Sequence, residues 1–313
     1  MKSSFATVRS ALILPLLLTG VAGCATKSTT ASRGPVMAEV LAKSHPADWR
    51  ALDPENTLYV ELAMGRVVIE LTPTFAPKHV ANVKALARES YYDGLAILRV
   101  QDNYVVQWGD PNSEKPKLAR QIRQAQRNLP AEFDRAWDDK LPFTPLPDGD
   151  VYAPEVGFSA GFPVARDRRS GRMWLVHRYR MVGSGRDNAP NSGGGTELFA
   201  VIGHAPRHLD RNDTLFGRVV QGIELLSALP RGPAPMGFYD KPEQLVPIKS
   251  VRVAADVPVA ERTELEVLRT DTATFQQLIE SRRTRREEWF ATPTGRIEIG
   301  NVPLPVRPRI TPP

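Results

Sequence analysis

A single cysteine, Cys24, stands among the 313 residues, so no disulfide can close within the chain. Long apolar runs are also missing. The one candidate, residues 11–22 (ALILPLLLTGVA), falls short of the ~20 apolar residues that a bilayer-spanning helix needs. Nor is there a dense run of one charge. The 41 Lys and Arg are interspersed with 35 Asp and Glu for a net charge of +6, which offers no basic stripe for nucleic acid. No internal repeat is present. Gly193-Gly194-Gly195 has neither the lysine of a phosphate-binding P-loop nor a helix to open, which leaves a plain loop. Ser184 and Ser192 lack the surroundings of a nucleophile elbow. His204 and His208 lie four apart beside Asp210, but Pro206 between them disfavours a shared helical face. No metal and no cofactor are expected.

What is present describes an exported globular protein. Hydrophobic residues make up 42% and charged residues 24%, ordinary for a folded domain, and the length allows one large domain or two modest ones. The 28 prolines cluster in loops and at the tail. Lys2 and Arg9 precede the short apolar stretch, which fits a signal-peptide core. That stretch leads into Val21-Ala22-Gly23-Cys24, which resembles a bacterial lipobox and implies lipidation of Cys24. Residues 1–23 then form the signal peptide. Residues 24–56, rich in Ser, Thr and Ala with a weak helical patch at 36–42, form a tether. Ala25 stands where aspartate is associated with inner-membrane retention, so a periplasm-facing outer-membrane anchor is expected.

Beyond the tether the pattern is mainly β. Residues 57–62 and 66–71 read as a hairpin, with Val67, Ile69 and Leu71 alternating with Arg66, Val68 and Glu70. Residues 74–90 read as a helix, with Pro77 in its first turn and Val80, Val83 and Ala87 at helical spacing. Residues 113–172 show weak, irregular structure with a basic helix-like patch at 117–127, and read as an insertion. Strand patterns return at 173–182, 197–203, 214–220 and 248–254, with a short helix at 222–229. A helix follows at 273–290 with four arginines near its end, then a proline-rich extended tail from 303.

The stretch that organises the chain is SYYDGLAILRVQDNYVVQWGDP, residues 90–111. Two apolar runs flank the polar turn Gln101-Asp102-Asn103; Arg99 ends the first run and Gln107 closes the second. Four segments, in order, resemble the cyclophilin peptidyl-prolyl isomerases. They are GRVVIEL (65–71) with Ala76-Pro77-Lys78, Tyr92-Asp93-Gly94 through Arg99 to Asp110, the glycine loop into Thr196-Glu197-Leu198-Phe199, and Leu209-Asp210 with LFGRV (215–219).

That resemblance implies a closed antiparallel β-barrel capped by two helices over residues 57–256, with a long insertion at about 113–172 and a helical extension at 257–313. It also implies isomerisation of X–Pro bonds without metal or cofactor, acting on proline-containing polypeptides of the periplasm, by a monomer. Arg99 takes the place of the family's catalytic arginine and Gln107 that of its positioning glutamine. Tyr104, Val105, Phe199 and Leu209 would line the proline pocket, with Glu197 and His208 beside them. Glu197 stands where glutamine is usual and His208 where tryptophan is common. Leu98 replaces a histidine, Ile97 a phenylalanine, and Trp108 the first glycine of a Gln-Gly-Gly-Asp motif. These substitutions keep open a rival reading, a low-activity binding module or holdase for envelope proteins. Strict alternation cannot place Tyr104 and Gln107 on one face, so a turn or bulge must intervene.

Overall fold

The computed structural model describes residues 34–115 and 117–309, so the expected signal peptide, Cys24 and the last four residues lie outside the described part. Eight strands, numbered β1 to β8 in chain order, form a closed antiparallel barrel. They are β1 (Thr57–Leu62), β2 (Gly65–Leu71), β3 (Ala96–Val100), β4 (Val105–Gly109), β5 (Met181–Ser184), β6 (Leu198–Val201), β7 (Thr214–Gln221) and β8 (Val246–Val253). Around the barrel the order is β5-β6-β4-β3-β8-β1-β2-β7, and β7 pairs back onto β5. The mainly β, closed-barrel expectation is met.

Alternation decides which side chains fill the interior. Leu58, Val60, Leu62, Val67, Ile69, Leu71, Ile97, Val106 and Trp108 point inward into one buried cluster. The helix Pro77–Arg88 buries Val80, Val83, Leu86 and Ala87 against that cluster, and the helix Ile223–Ser227 adds Ile223 and Leu226. Pro77 occupies the first helical turn, where its missing N–H leaves no hydrogen bond unmade. Asn82 Nδ2 donates 2.7 Å to the Gly194 carbonyl and Tyr92 Oη donates 2.5 Å to that of Gly195, which ties the glycine loop down.

The insertion differs from the irregular segment expected. Strands at Arg135–Ala136, Arg172–Leu175, Phe162–Asp167, Glu155–Ser159 and Thr144–Pro145 form a five-stranded antiparallel sheet, in that spatial order. Its two faces bury different partners. Phe162, Val164, Met173 and Leu175 pack on the outside of the barrel against Val105, Met181, Phe199 and Leu215. Val156, Phe158, Ala165, Trp174 and Val176 pack against Phe275, Leu278 and Ile279 of the helix Ala273–Thr284. A sheet buried on both faces has no polar stripe, so it carries no apolar–polar alternation to read. The basic patch at 117–127 is no helix. Its backbone N–H groups donate to side chains instead, Arg120 to Asp110, Arg123 to Glu89 and Gln126 to Asn82.

The flanks are also more ordered than expected. Residues 24–33 of the expected tether lie outside the description, but a helix forms at Met37–Ala42 and a strand at Trp49–Ala51. That strand pairs with Leu265–Leu268, which pairs in turn with Val306–Pro308 of the proline-rich tail. Leu265 and Val267 cover the outward-facing Tyr59 and Val68 of the barrel. Apolar residues on the outer barrel wall thus recruit the segments on both sides of it.

Candidate active site

The outer face of β3, β4 and β6 carries the site. In register, Arg99 pairs with Gln107 and Gln107 with Phe199, so the three form one row across adjacent strands. The register of β3 shifts between Ile97 and Arg99, so a bulge at Leu98 intervenes. Without it Arg99 would share the inward face of Ile97, since opposite faces alternate strictly. Tyr104 reaches the same side from the turn before β4, where Asn103 adopts a left-handed φ of 51°. The turn and the bulge together bring to one face what alternation alone would separate.

A cavity of about 850 Å³ lies over this row, and its lining includes Arg99, Tyr104, Val105, Gln107, Glu197, Phe199 and Leu209. His208 is exposed and stacks on Tyr104 from behind, with rings 6.3 Å apart and 8° from parallel. It supports that wall and does not line the cavity. Trp108 turns into the barrel interior, so its departure from glycine leaves the pocket untouched. Two glycines make room for the walls. A Cβ on Gly183 would sit 2.4 Å from the Phe199 ring, and one on Gly109 would sit 2.7 Å from Cγ of Glu197. The insertion sheet backs the site, since Phe162, Val164 and Met173 share a cluster with Val105 and Phe199.

Arg99 is held on three sides. Its Nε donates 2.6 Å to the Met236 carbonyl, Nη1 donates 3.1 Å to Gln107 Oε1, and Nη2 donates to Gln101 Oε1. Gln107 Nε2 in turn donates 2.7 Å to Glu197 Oε2. Glu197 therefore makes no direct ion pair with Arg99; it acts on it through the amide. The Arg99 guanidinium also lies 5.0 Å from the Phe238 ring centroid and 5.6 Å from that of Tyr104. Burial lowers the Arg99 pKa from its ordinary value, while the guanidinium remains a cation at neutral pH. Burial raises the Glu197 pKa, aided by Asp187, Glu114 and Asp110 and opposed by the Gln107 hydrogen bond. Asp213, another lining residue, is pushed up to about 7 by burial, against the Thr214 N–H and the Arg186 charge.

Met236, Phe238 and Tyr239, which line the cavity from the segment 230–245, were not among the expected site residues. Phe238 forms an isolated β-bridge with Arg99. The available signal was length. Eighteen residues between the helix at 223–227 and β8 exceed what a turn needs, and Met236, Phe238 and Tyr239 sit among their prolines and glycines. Asp210 belongs to a different network from the one its neighbours His204 and His208 suggested. It accepts 2.8 Å from the His177 backbone N–H and 2.6 Å from Arg207 Nε.

Comparison with known proteins places the chain. The family described as "Cyclophilin type peptidyl-prolyl cis-trans isomerase/CLD" matches residues 57–253. A probable peptidyl-prolyl cis-trans isomerase of Brucella suis is 29% identical over 203 residues, which cover 63% of this chain and 83% of that protein. The human peptidyl-prolyl cis-trans isomerase-like 1 is 25% identical, with 70% of this chain and 99% of that protein covered. Among solved structures, the cyclophilin AquaCyp293 of Hirschia baltica superposes with a TM-score of 0.67 at 25% identity, over 88% of this chain and 98% of that one.

Proposed function

We propose how the site works from one premise: the chain belongs to the cyclophilin family and is a peptidyl-prolyl cis–trans isomerase. The barrier to X–Pro rotation, about 18–20 kcal/mol, comes from amide resonance, and no covalent step is needed to cross it. A catalyst has only to bind the twisted amide better than either planar form. As the bond twists, the prolyl nitrogen becomes pyramidal and gains a lone pair that accepts a hydrogen bond. Arg99 is the donor. The observation that carries this reading is its partial satisfaction. Of the five N–H groups of the guanidinium, three are spent on Met236, Gln107 and Gln101, which fix its plane and leave two for a substrate. A donor held in place before the reaction stabilises the twisted state without reorganising. Tyr104, Val105, Phe199 and Leu209 supply the apolar wall against which a proline ring packs.

The substrates on this reading are proline-containing polypeptides exported to the periplasm, and the enzyme is tethered there by a lipid on Cys24. The basic n-region, short apolar core and Val-Ala-Gly-Cys pattern support that setting.

The test is turnover of a short prolyl peptide in a protease-coupled assay. Arg99→Ala should lower kcat/KM by about 10²-fold, the usual loss when one preorganised donor is removed. Arg99→Lys should fall nearly as far, because a single ammonium cannot reproduce a fork anchored at three points. Both variants should keep the wild-type circular dichroism. A kcat/KM unchanged in Arg99→Ala would remove Arg99 from the mechanism.

A further inference from the structure

A second cavity, of about 530 Å³, shares none of its lining residues with the active site. Its walls bring together Arg178, Arg180 and Arg218 with Val219, Val220, Pro305 and Val306. The three arginines are held very differently. Arg218 is buried but served: its Nε donates 2.9 Å to Glu70, which also accepts from Arg50. Arg178 is 8% exposed, and the only acceptors it reaches among the described residues are the Ile299 and Val302 carbonyls, both through Nη1. Its buried Nε has no partner. No carboxylate lies within ion-pair distance of it among the described residues, although Glu298 exerts a weaker, longer-range attraction. Burial, together with the Arg218 and Arg180 charges, pushes its pKa down to about 10, so the guanidinium is still charged at neutral pH.

Arg180 adds an independent observation. Its φ is 78°, a left-handed conformation that a non-glycine residue seldom adopts. The backbone is pinned there on both sides, with Arg180 N donating 2.9 Å to Val201 and Val219 N donating 2.8 Å to the Arg180 carbonyl. Its guanidinium carbon lies 5.9 Å from the Tyr179 ring centroid, and the side chain makes no ion pair among the described residues. Arg180, in a strained backbone conformation and without an ion pair among the described residues, lines the same cavity as the buried Arg178, and strained backbone of this kind gathers at functional sites. A buried charge held by neutral carbonyls alone is unfavourable, and an anion in the cavity relieves it. Glu224 also lines the cavity, at an exposed position, so the site selects for a ligand whose charge reaches inward past it.

We propose that this cavity binds a small organic oxyanion, with its phosphate or carboxylate between Arg178 and Arg180 and its apolar body against Val219, Val220, Pro305 and Val306. The volume suits a small molecule, and planar guanidiniums match the two-oxygen geometry of such groups.

Calorimetric titration with n-hexyl phosphate and with inorganic phosphate, at fixed ionic strength, tests this. Arg180→Asn is the informative variant, since asparagine tolerates the left-handed backbone while removing the charge. Hexyl phosphate should bind wild type more tightly than inorganic phosphate does, and at least roughly tenfold more weakly to Arg180→Asn, as expected for a lost charge-assisted hydrogen bond. Isomerase activity of the variant should match wild type, which shows that it is folded. Hexyl phosphate binding no tighter than inorganic phosphate, or equal binding by variant and wild type, overturns the proposal.

Discussion

Glu197 Oε2 accepts a 2.7 Å hydrogen bond from Gln107 Nε2, and together with the donor-only Arg99 guanidinium on the other side it fixes the orientation of the amide. An ionised carboxylate can only accept, so Gln107 must give it the NH2 and present Oε1 to Arg99 Nη1. Glu197→Ala removes one of the two contacts that hold the amide, leaving only Arg99 to orient it. The expected result is a fall in kcat/KM of roughly tenfold, the worth of one hydrogen bond to a charged group, carried by kcat more than KM. Protonation weakens the same contact, because a neutral carboxyl is a poorer acceptor for the amide NH2 than a carboxylate. Burial raises the Glu197 pKa, so the protonated form persists to higher pH than for an ordinary glutamate. Activity should therefore decline as pH falls through that raised pKa, and Glu197→Gln should abolish the acid limb. A limb that survives in Glu197→Gln would assign it to another group.

Membrane attachment is open to a direct test. If Cys24 carries the lipid, Cys24→Ser should move the protein from the membrane fraction to the soluble periplasmic fraction with isomerase activity intact. Cys24 lies ten residues before the first described residue, Gly34. An unchanged membrane fraction would rule out lipidation as the anchor.

The barrel and the placement of Arg99 beside Gln107 were legible because their signals are local. Val67, Ile69 and Leu71 alternate with their neighbours, and Arg99 and Gln107 flank a short polar turn at a spacing that a hairpin aligns. Alternation showed that a turn or bulge must separate Tyr104 from Gln107, but the bulge at Leu98 on the neighbouring strand left no mark in the sequence. The insertion was illegible for a physical reason. Val164 faces the barrel and Ala165 the helix at 273–284, so neighbouring residues are buried on opposite faces and no polarity marks the strand. Met236 and Phe238 were missed because they reach Arg99 from 137 and 139 residues away along the chain, through a segment with no periodicity. The role of Glu197 likewise depends on a hydrogen bond that only the pairing of β4 with β6 creates.

Asp213 gives stability a pH dependence of unusual sign. Burial beside Tyr104 and Phe199 in the same cavity lining holds its pKa at about 7, against 3.8 for the free group. Between those values the folded state keeps a proton that the unfolded chain has lost. Stability therefore falls as pH rises from about 4 to about 7 through this group. Most surface carboxylates, held low by cationic neighbours, contribute the opposite slope. Subtracting the urea-unfolding profile of Asp213→Asn from that of wild type isolates the contribution. The wild type should lose stability relative to the variant across that interval, and a flat difference would show that Asp213 titrates normally.

Glu70 and Arg218 stand directly opposite each other on β2 and β7, with side chains only 6% and 5% exposed. Arg50, from the strand at Trp49–Ala51, pairs with the same carboxylate, so Glu70 joins an outer strand to the barrel wall. Removing it strands Arg218 as a buried cation 5.4 Å from the Phe162 ring centroid, with no other carboxylate in reach among the described residues. Glu70→Ala should lower the unfolding free energy by about 3–5 kcal/mol, the usual penalty for breaking a buried pair. The double variant Glu70→Met/Arg218→Met should recover most of that loss, since two apolar side chains of similar volume carry no desolvation penalty. Urea unfolding midpoints at constant m-value separate the two cases. Recovery in the double variant identifies the stranded charge as the cause. If the double variant is as unstable as Glu70→Ala, packing around Glu70, and not its charge, holds this wall of the barrel.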